Sequence, residues 1–355
     1  GRTVTLSPIN TFTTSVTNNW TSTSVAGITG HSTSGSATIS ETLTNTTTSP
    51  LSVIYSYTPT ASGCNGTVRQ FTVIVSPSPL VTSANTATIC SGSSVSIPFT
   101  SSSASTYSWI AANNVNTTGE SLTAQTTNTL NNSIVNSSTV LQNVIYTVTP
   151  TSTVAGCLGV AQTVTVSVSP LPTVTSASTA TICSGNVVSI PFAASIASSY
   201  SWIASNNVNV TGESLTTQTT NTLVNTLVNT SAVTQQVIYT VTPVSTAGSC
   251  TGIAQTLTVS VNPLPIVTAN ASNTLTCLGT TATLTAGGAN TYTWTSGPVS
   301  STYTTSTAGT YTVTGTNTIT GCTNTRTVSI SVSPLPVVLA VASSSAICFG
   351  STSTL

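Results

Sequence analysis

The chain has 355 residues, of which 38% are hydrophobic and only 2% charged, and its three basic and three acidic side chains cancel to a net charge of zero. A surface so poor in charge has no electrostatic footprint for nucleic acid or for an anionic membrane face. Lys and Asp are absent, which removes Lys Schiff bases, Lys–Asn isopeptide crosslinks, Asp-rich calcium loops and a Ser-His-Asp triad.

Thr, Ser and Asn take the place of charge, keeping a surface wet while tolerating extended backbone. No run approaches the ~18 apolar residues of a membrane helix. The opening "GRTVTLSP" is neither an initiator Met nor a signal peptide, and because the sequence starts and stops inside repeats it reads as an internal piece of something longer. Segments such as "QTVTVSVSP" (Gln162 to Pro170) and "QTLTVSVNP" (Gln255 to Pro263) alternate with period two, the signature of half-buried strands. Nothing carries a helical period, and the expected class is all-β: tandem β-sandwich repeats arranged as an extended rod.

In chain order, residues 1–77 read as a long repeat truncated at its N-terminus, its first cysteine expected just before Gly1. Residues 80–170 and 173–263 are two complete long repeats, 266–334 is a short one, and 337–355 begins a further, truncated repeat. Tyr107–Leu130 and Tyr200–Leu223 are identical at 21 of 24 positions, the mark of recent duplication in an array. Trp109 to Tyr146 and Trp202 to Tyr239 are each 37 apart but Trp294 to Tyr311 only 17, so the short repeat lacks the stretch "NNVNTTGESLTAQTTNTL". Prolines in "SPLP" and "NPLP" restrict the backbone and remove amide donors, which makes the connections short stiff joints of about three residues.

A Trp on a middle strand and a Tyr on a penultimate strand point to an immunoglobulin-like sandwich. Tyr107/Trp109, Tyr200/Trp202 and Tyr292/Trp294 have i, i+2 spacing and share a sheet face. The expected aromatic core is therefore Trp20, Trp109, Trp202, Trp294, Tyr146, Tyr239 and Tyr311, in preference to a ligand platform.

The eight cysteines form two interleaved series. Cys90 and Cys183 ("TICSG"), Cys277 ("TCLG") and Cys348 ("ICFG") open repeats, whereas Cys64, Cys157, Cys250 and Cys322 follow the Tyr strand. Regular spacing without Cys-x-x-Cys or His partners favours disulfides over a metal site. Pairing within a repeat is the adopted expectation: Cys90–Cys157, Cys183–Cys250 and Cys277–Cys322, with Cys64 and Cys348 pairing outside the piece. A staggered scheme, Cys90–Cys250 and Cys183–Cys322, would staple successive sandwiches, because the second strand's start and the turn before the last strand lie at opposite ends of an ideal sandwich. A scheme across each linker is the third, and extended chain between its cysteines strains it.

These residues resemble the PKD-like and Ig-like repeats of large secreted proteins of Bacteroidota: Cys183/Gly185, Tyr200/Trp202, Tyr239-Thr240-Val241-Thr242, Gly248/Cys250 and Val259 to Pro265 match the motifs of that group. The resemblance covers essentially the whole chain. It implies a type IX-secreted cell-surface adhesin, of the gliding-motility SprB kind in Flavobacterium-type bacteria, extracellular and attached to the outer membrane. Partners implied are a surface polysaccharide or glycan through distal regions, neighbouring repeats or copies, and secretion and motility machinery through parts outside this sequence, with no nucleic acid and no membrane insertion.

No catalytic, cofactor-binding or metal residue is assigned. His31, the only histidine, has no carboxylate or Cys at ligand spacing and reads as a loop residue. Glu120 and Glu213 recur in "TGESL" and read as loop carboxylates bonded to backbone; the competing reading is a weak contact loop for glycan or a neighbouring copy. Sequons such as Asn209-Val210-Thr211 arise by chance in so Asn- and Thr-rich a chain. The functional expectation is a non-enzymatic, disulfide-stabilised structural or adhesive segment. Its alternatives are stalk repeats of a secreted enzyme and a subunit of an extracellular filament.

Overall fold

The computed structural model describes residues 2–9 and 15–354. Among them every regular element is a strand. The chain divides into two compact units, one of Gly1–Thr173 with Ser195–Ser198 and Val244–Ile253, the other of Val174–Ala194, Ser199–Pro243 and Ala254–Leu355.

The first unit holds two sandwiches. In the first, Arg2–Leu6 pairs with Ile39–Asn45 in one sheet, and Val16–Ser22, Leu51–Ala61 and Arg69–Val75 form the other. Alternation along Leu51–Ala61 sends Val53, Tyr55 and Tyr57 inward onto Trp20, Ile39 and Leu43. The second sandwich pairs Ser94–Pro98 with Thr129–Ser133 against a four-stranded sheet ordered Ser105–Ala111, Gln142–Ser152, Gln162–Ser169, Thr86–Cys90. The last two of these strands run parallel, with Cys90 opposite Ser169.

The second unit repeats this plan. Its larger sheet places Thr179–Cys183 parallel to Gln255–Asn262, with Cys183 opposite Asn262. The short repeat keeps the parallel pair, Cys277 of Leu275–Cys277 facing Ser333 of Thr323–Ser333. Its other sheet pairs Ala282–Gly287 with Thr302–Thr305, as Ser94–Pro98 pairs with Thr129–Ser133 in the second sandwich.

The expected core aromatics Trp20, Trp109, Trp202, Trp294, Tyr146 and Tyr239 are buried, while Tyr311 is only partly so. Trp109 and Tyr146 meet edge to face at 5.9 Å, as do Trp202 and Tyr239. The tyrosine tips are satisfied, Tyr146 Oη donating to Asn132 Oδ1 and Tyr239 Oη to Asn225 Oδ1, both at 2.8 Å, whereas the buried Nε1 of Trp20 has no partner. Burial, with the carboxylates of Glu120 and Glu213 adding to it, pushes those two phenols well above the usual range. In the first sandwich Glu41 stands where Asn132 does, accepting from Tyr55 Oη and from the Ser32 N–H at 2.7 Å.

Candidate functional site: the disulfide joints

The parallel strand decides where each repeat-opening cysteine goes. Thr86–Cys90 and Gln162–Ser169 finish at the same end of their sandwich, the end from which "Pro170-Leu171-Pro172" departs. The Ser91 N–H donates to Ser169 O at 2.8 Å, and Ser184 to Asn262 O and Leu278 to Ser333 O repeat that bond in the next two repeats. Cys90, Cys183 and Cys277 are therefore all delivered to a linker.

The second cysteine series is held in a turn at the opposite end. The N–H groups of Ser152, Ser245 and Asn317 donate to the carbonyls of Cys157, Cys250 and Cys322, each at 2.9 Å. This turn packs onto the linker that precedes its own repeat. A Cβ built on Gly159 would lie 2.1 Å from Pro79 O, and one on Gly252 2.0 Å from Pro172 O, so only glycine admits this approach. In the fourth repeat Asn324 Nδ2 donates to Pro265 O at 3.0 Å instead.

One repeat's exit and the next repeat's turn thus share a joint, and the bridges formed are Cys90–Cys250 and Cys183–Cys322, each with a Cα–Cα distance of 5.6 Å. Cys250 and Cys322 are only 1% exposed. The expected within-repeat pairing of Cys90 with Cys157, Cys183 with Cys250 and Cys277 with Cys322 is overturned in favour of the staggered scheme. The reason is the length of the last strand: Cys90 lies beside its end at Ser169, Cys157 before its start at Gln162. Roughly 25 Å of extended chain separates them, well beyond disulfide reach. Cys64, Cys157, Cys277 and Cys348 form no bridge among the described residues.

Two features of the joint escaped sequence reading. Asn136 Nδ2 donates to Val140 O and Val168 O, both at 2.8 Å, and Asn229 Nδ2 to Val233 O and Val261 O at 2.7 and 2.8 Å, clamping a loop onto the last strand beside the linker. The Gly two residues after the second cysteine is the other. Its recurrence in "GCLG" and "SCTG" was the available signal.

Glu120 accepts from Thr117 Oγ1 at 3.0 Å and Glu213 from the Asn207 N–H at 3.1 Å, so each carboxylate turns into its own loop. The exposed tips of those loops are the apolar Val115 and Val208. His31 Nε2 is buried without a hydrogen-bond partner. Among the described residues no group of three or more His, Cys, Asp and Glu could hold a metal ion, and no helix is long and apolar enough to cross a membrane.

The sequence model of one family, described as the PKD-like domain, matches residues 1–79, 87–172 and 180–265. No curated protein matches. Among solved structures, the eight N-terminal Ig domains of Down Syndrome Cell Adhesion Molecule are 14% identical with a TM-score of 0.30, covering 94% of this chain and 46% of that one. An I-band fragment of titin is 12% identical with a TM-score of 0.33, covering 72% and 98%. The human desmocollin-1 ectodomain is 12% identical with a TM-score of 0.26, covering 91% and 75%. Disulfides in repeats of this type are those of an extracellular domain.

Proposed function

The chain belongs to the PKD-like domain family, and from that premise we propose that it is a non-enzymatic structural segment of an extracellular protein, built to keep successive sandwiches fastened under tension. The observation that supports this most directly is the placement of both bridges between repeats, Cys90–Cys250 and Cys183–Cys322. A bridge inside one sandwich would protect that sandwich alone; one across a joint resists separation of neighbours.

The proposal extends to the parent protein: a cell-surface adhesin of Bacteroidota, exported by the type IX route, attached to the outer membrane and serving gliding or surface attachment. Its division into repeats at 1–77, 80–170, 173–263, 266–334 and 337–355 is part of that reading. A glycan ligand belongs to distal regions, with the loop tips at Val115 and Val208 as secondary contacts beside Glu120 and Glu213. Mass spectrometry of the intact parent tests the adhesin against the stalk of a secreted enzyme. A polypeptide dominated by such repeats and shaved from whole cells by protease is the expected result, and a hydrolase domain on the same chain would sink it.

A further inference from the structure

The two bridges occupy equivalent joints, yet the surroundings of their sulfurs differ. In each, the turn cysteine is sealed, Cys250 and Cys322 being 1% exposed. The repeat-opening cysteine ends a strand at the edge of its four-stranded sheet and is partly exposed. Cys90 lies two residues after the exposed Thr88 and so projects from the outer face of that sheet, as Cys183 does two residues after Thr181. A reagent from solvent therefore meets the sulfur of Cys90 or Cys183 before that of its partner.

At the Cys90–Cys250 joint an open groove of about 340 Å³ runs beside the bridge. Thr88, Leu141, Ser167 and Ser169 line one side of it, Ile196 and Gly248 the other. Strand alternation puts Cys90 on the same face as Thr88, so its sulfur is presented to this groove. The residues next to Cys250 are small. A Cβ built on Gly248 would lie 2.5 Å from Ser169 Oγ and 3.7 Å from Cys250 Sγ, so this glycine and Ser169 close over the turn cysteine.

At the Cys183–Cys322 joint three of these positions have changed: Thr234, Asn262 and Thr320 stand where Leu141, Ser169 and Gly248 do. Thr234 Oγ1 donates to Asn262 Oδ1 at 2.8 Å, tying a hairpin to the end of the last strand opposite Cys183. The Cys322 N–H donates to Thr320 Oγ1 at 3.3 Å. The cleft of about 720 Å³ at this joint runs along Pro263 to Ile266, and neither Asn262 nor Thr320 lines it.

We propose that Cys90–Cys250 is a site of thiol–disulfide exchange with small-molecule thiols, entered through the groove at Cys90, and that Cys183–Cys322 is inert by comparison. The incoming thiolate attacks Cys90 Sγ, the bond between the two cysteine sulfurs breaks, and its electron pair leaves on Cys250, which takes a proton from water. The attacking sulfur is oxidised into a mixed disulfide on Cys90 as the sulfur of Cys250 is reduced to a thiol. Closing the joint is the reverse step. The Cys250 N–H donates to Ser245 Oγ at 3.0 Å and the Ser245 N–H to Cys250 O at 2.9 Å. The turn therefore keeps the freed thiol beside Cys90, where it expels the small thiol at high effective concentration. One joint can then be unfastened and refastened with its sandwiches folded, while the other is permanent. The proposal rests on the surroundings of one bridge, so its failure leaves the structural, extracellular reading untouched.

The test uses the full chain with both bridges formed and its other cysteines first blocked by iodoacetamide in the native state. Reduced glutathione is the probe, and timed samples are quenched in acid, labelled with N-ethylmaleimide in denaturant and mapped by mass spectrometry. Glutathione on Cys90 with maleimide on Cys250 is expected, at least about tenfold faster than any opening of Cys183–Cys322. Glutathione found on Cys250 overturns the direction of attack. Equal rates at the two bridges, or a Cys90–Cys250 bridge that opens only when the whole chain unfolds, overturn the site. Exchanging the joints' residues tests the groove itself. Leu141→Thr with Ser169→Asn should slow exchange at Cys90 about tenfold, and Thr234→Leu with Asn262→Ser should speed it at Cys183 by a similar factor. Rates that do not change, or that merely track the denaturation midpoints of these variants, overturn the groove's role.

Discussion

The first and second sandwiches share a Trp–Tyr pair and a last strand of similar sequence, but among the described residues a parallel strand, Thr86–Cys90, lies alongside that last strand in the second alone. Val164, Val166 and Val168 are fully buried there, while Phe71, Val73 and Val75 at the equivalent positions are not. The parallel strand therefore has two jobs. It completes the core of its own repeat, through Ala87 and Ile89, and it carries a cysteine to the next. Closing a sandwich and fastening its neighbour are one act of folding in this chain.

The largest expected effect separates those jobs by force. With both bridges formed, the shortest covalent path from Cys90 to Cys322 runs through the 67 residues between Cys183 and Cys250 and not through all 232. A chain pulled by its ends should gain on the order of 500–600 Å of contour on reduction, at ~3.5 Å per residue. Single-molecule extension curves that coincide with and without reductant would break the comparison. By the chain-entropy relation, each closed loop of 160 or 139 residues is worth about 5 kcal/mol.

Crowding the turn comes next. Gly252→Val and Gly159→Val each drive a side chain into a linker carbonyl and should each lower stability by about 1–3 kcal/mol in denaturant titrations. Only the first should also leave Cys250 open to alkylation, because only that joint carries a bridge.

Within the cores, Tyr55→Phe removes a donor to a buried carboxylate and Tyr146→Phe a donor to an amide. Losses of about 2 and about 1 kcal/mol are expected. The same tyrosines set a pH limit. Burial holds the phenols of Tyr55, Tyr146 and Tyr239 protonated well above their usual range, whereas an unfolded chain ionises them near pH ~10. Because the folded value is the raised one, their contribution is complete below that pH and falls as pH rises beyond it. Denaturation midpoints that hold steady between pH 10 and 12 would contradict this. The smallest effect belongs to the loop tips: Val115→Thr and Val208→Thr should change stability by less than about 0.5 kcal/mol by the same measurement.

Much of this architecture was legible in the residues. Period-two alternation in "QTVTVSVSP" and the i, i+2 pair Tyr107/Trp109 specify strand and inward face by local geometry alone, so class and core followed. Pairing did not follow. It depends on Cys90 standing beside Ser169, a contact between residues 79 apart that no local pattern announces, since the same "TATIC" could have paired at either edge. Glu120 was legible as a loop carboxylate because Asn and Thr donors lie within six residues of it. The clamp by Asn136 was not, for its partner Val168 lies 32 residues away in a chain where Asn is common.

The staggered bridges also change what a single cut can do. A protease that opens the linker at Leu171 leaves the two halves joined through Cys90 and Cys250, and one that opens it at Leu264 leaves them joined through Cys183 and Cys322. Each bridged linker is spanned twice, once by backbone and once by sulfur, so a single break in either linker does not part the chain.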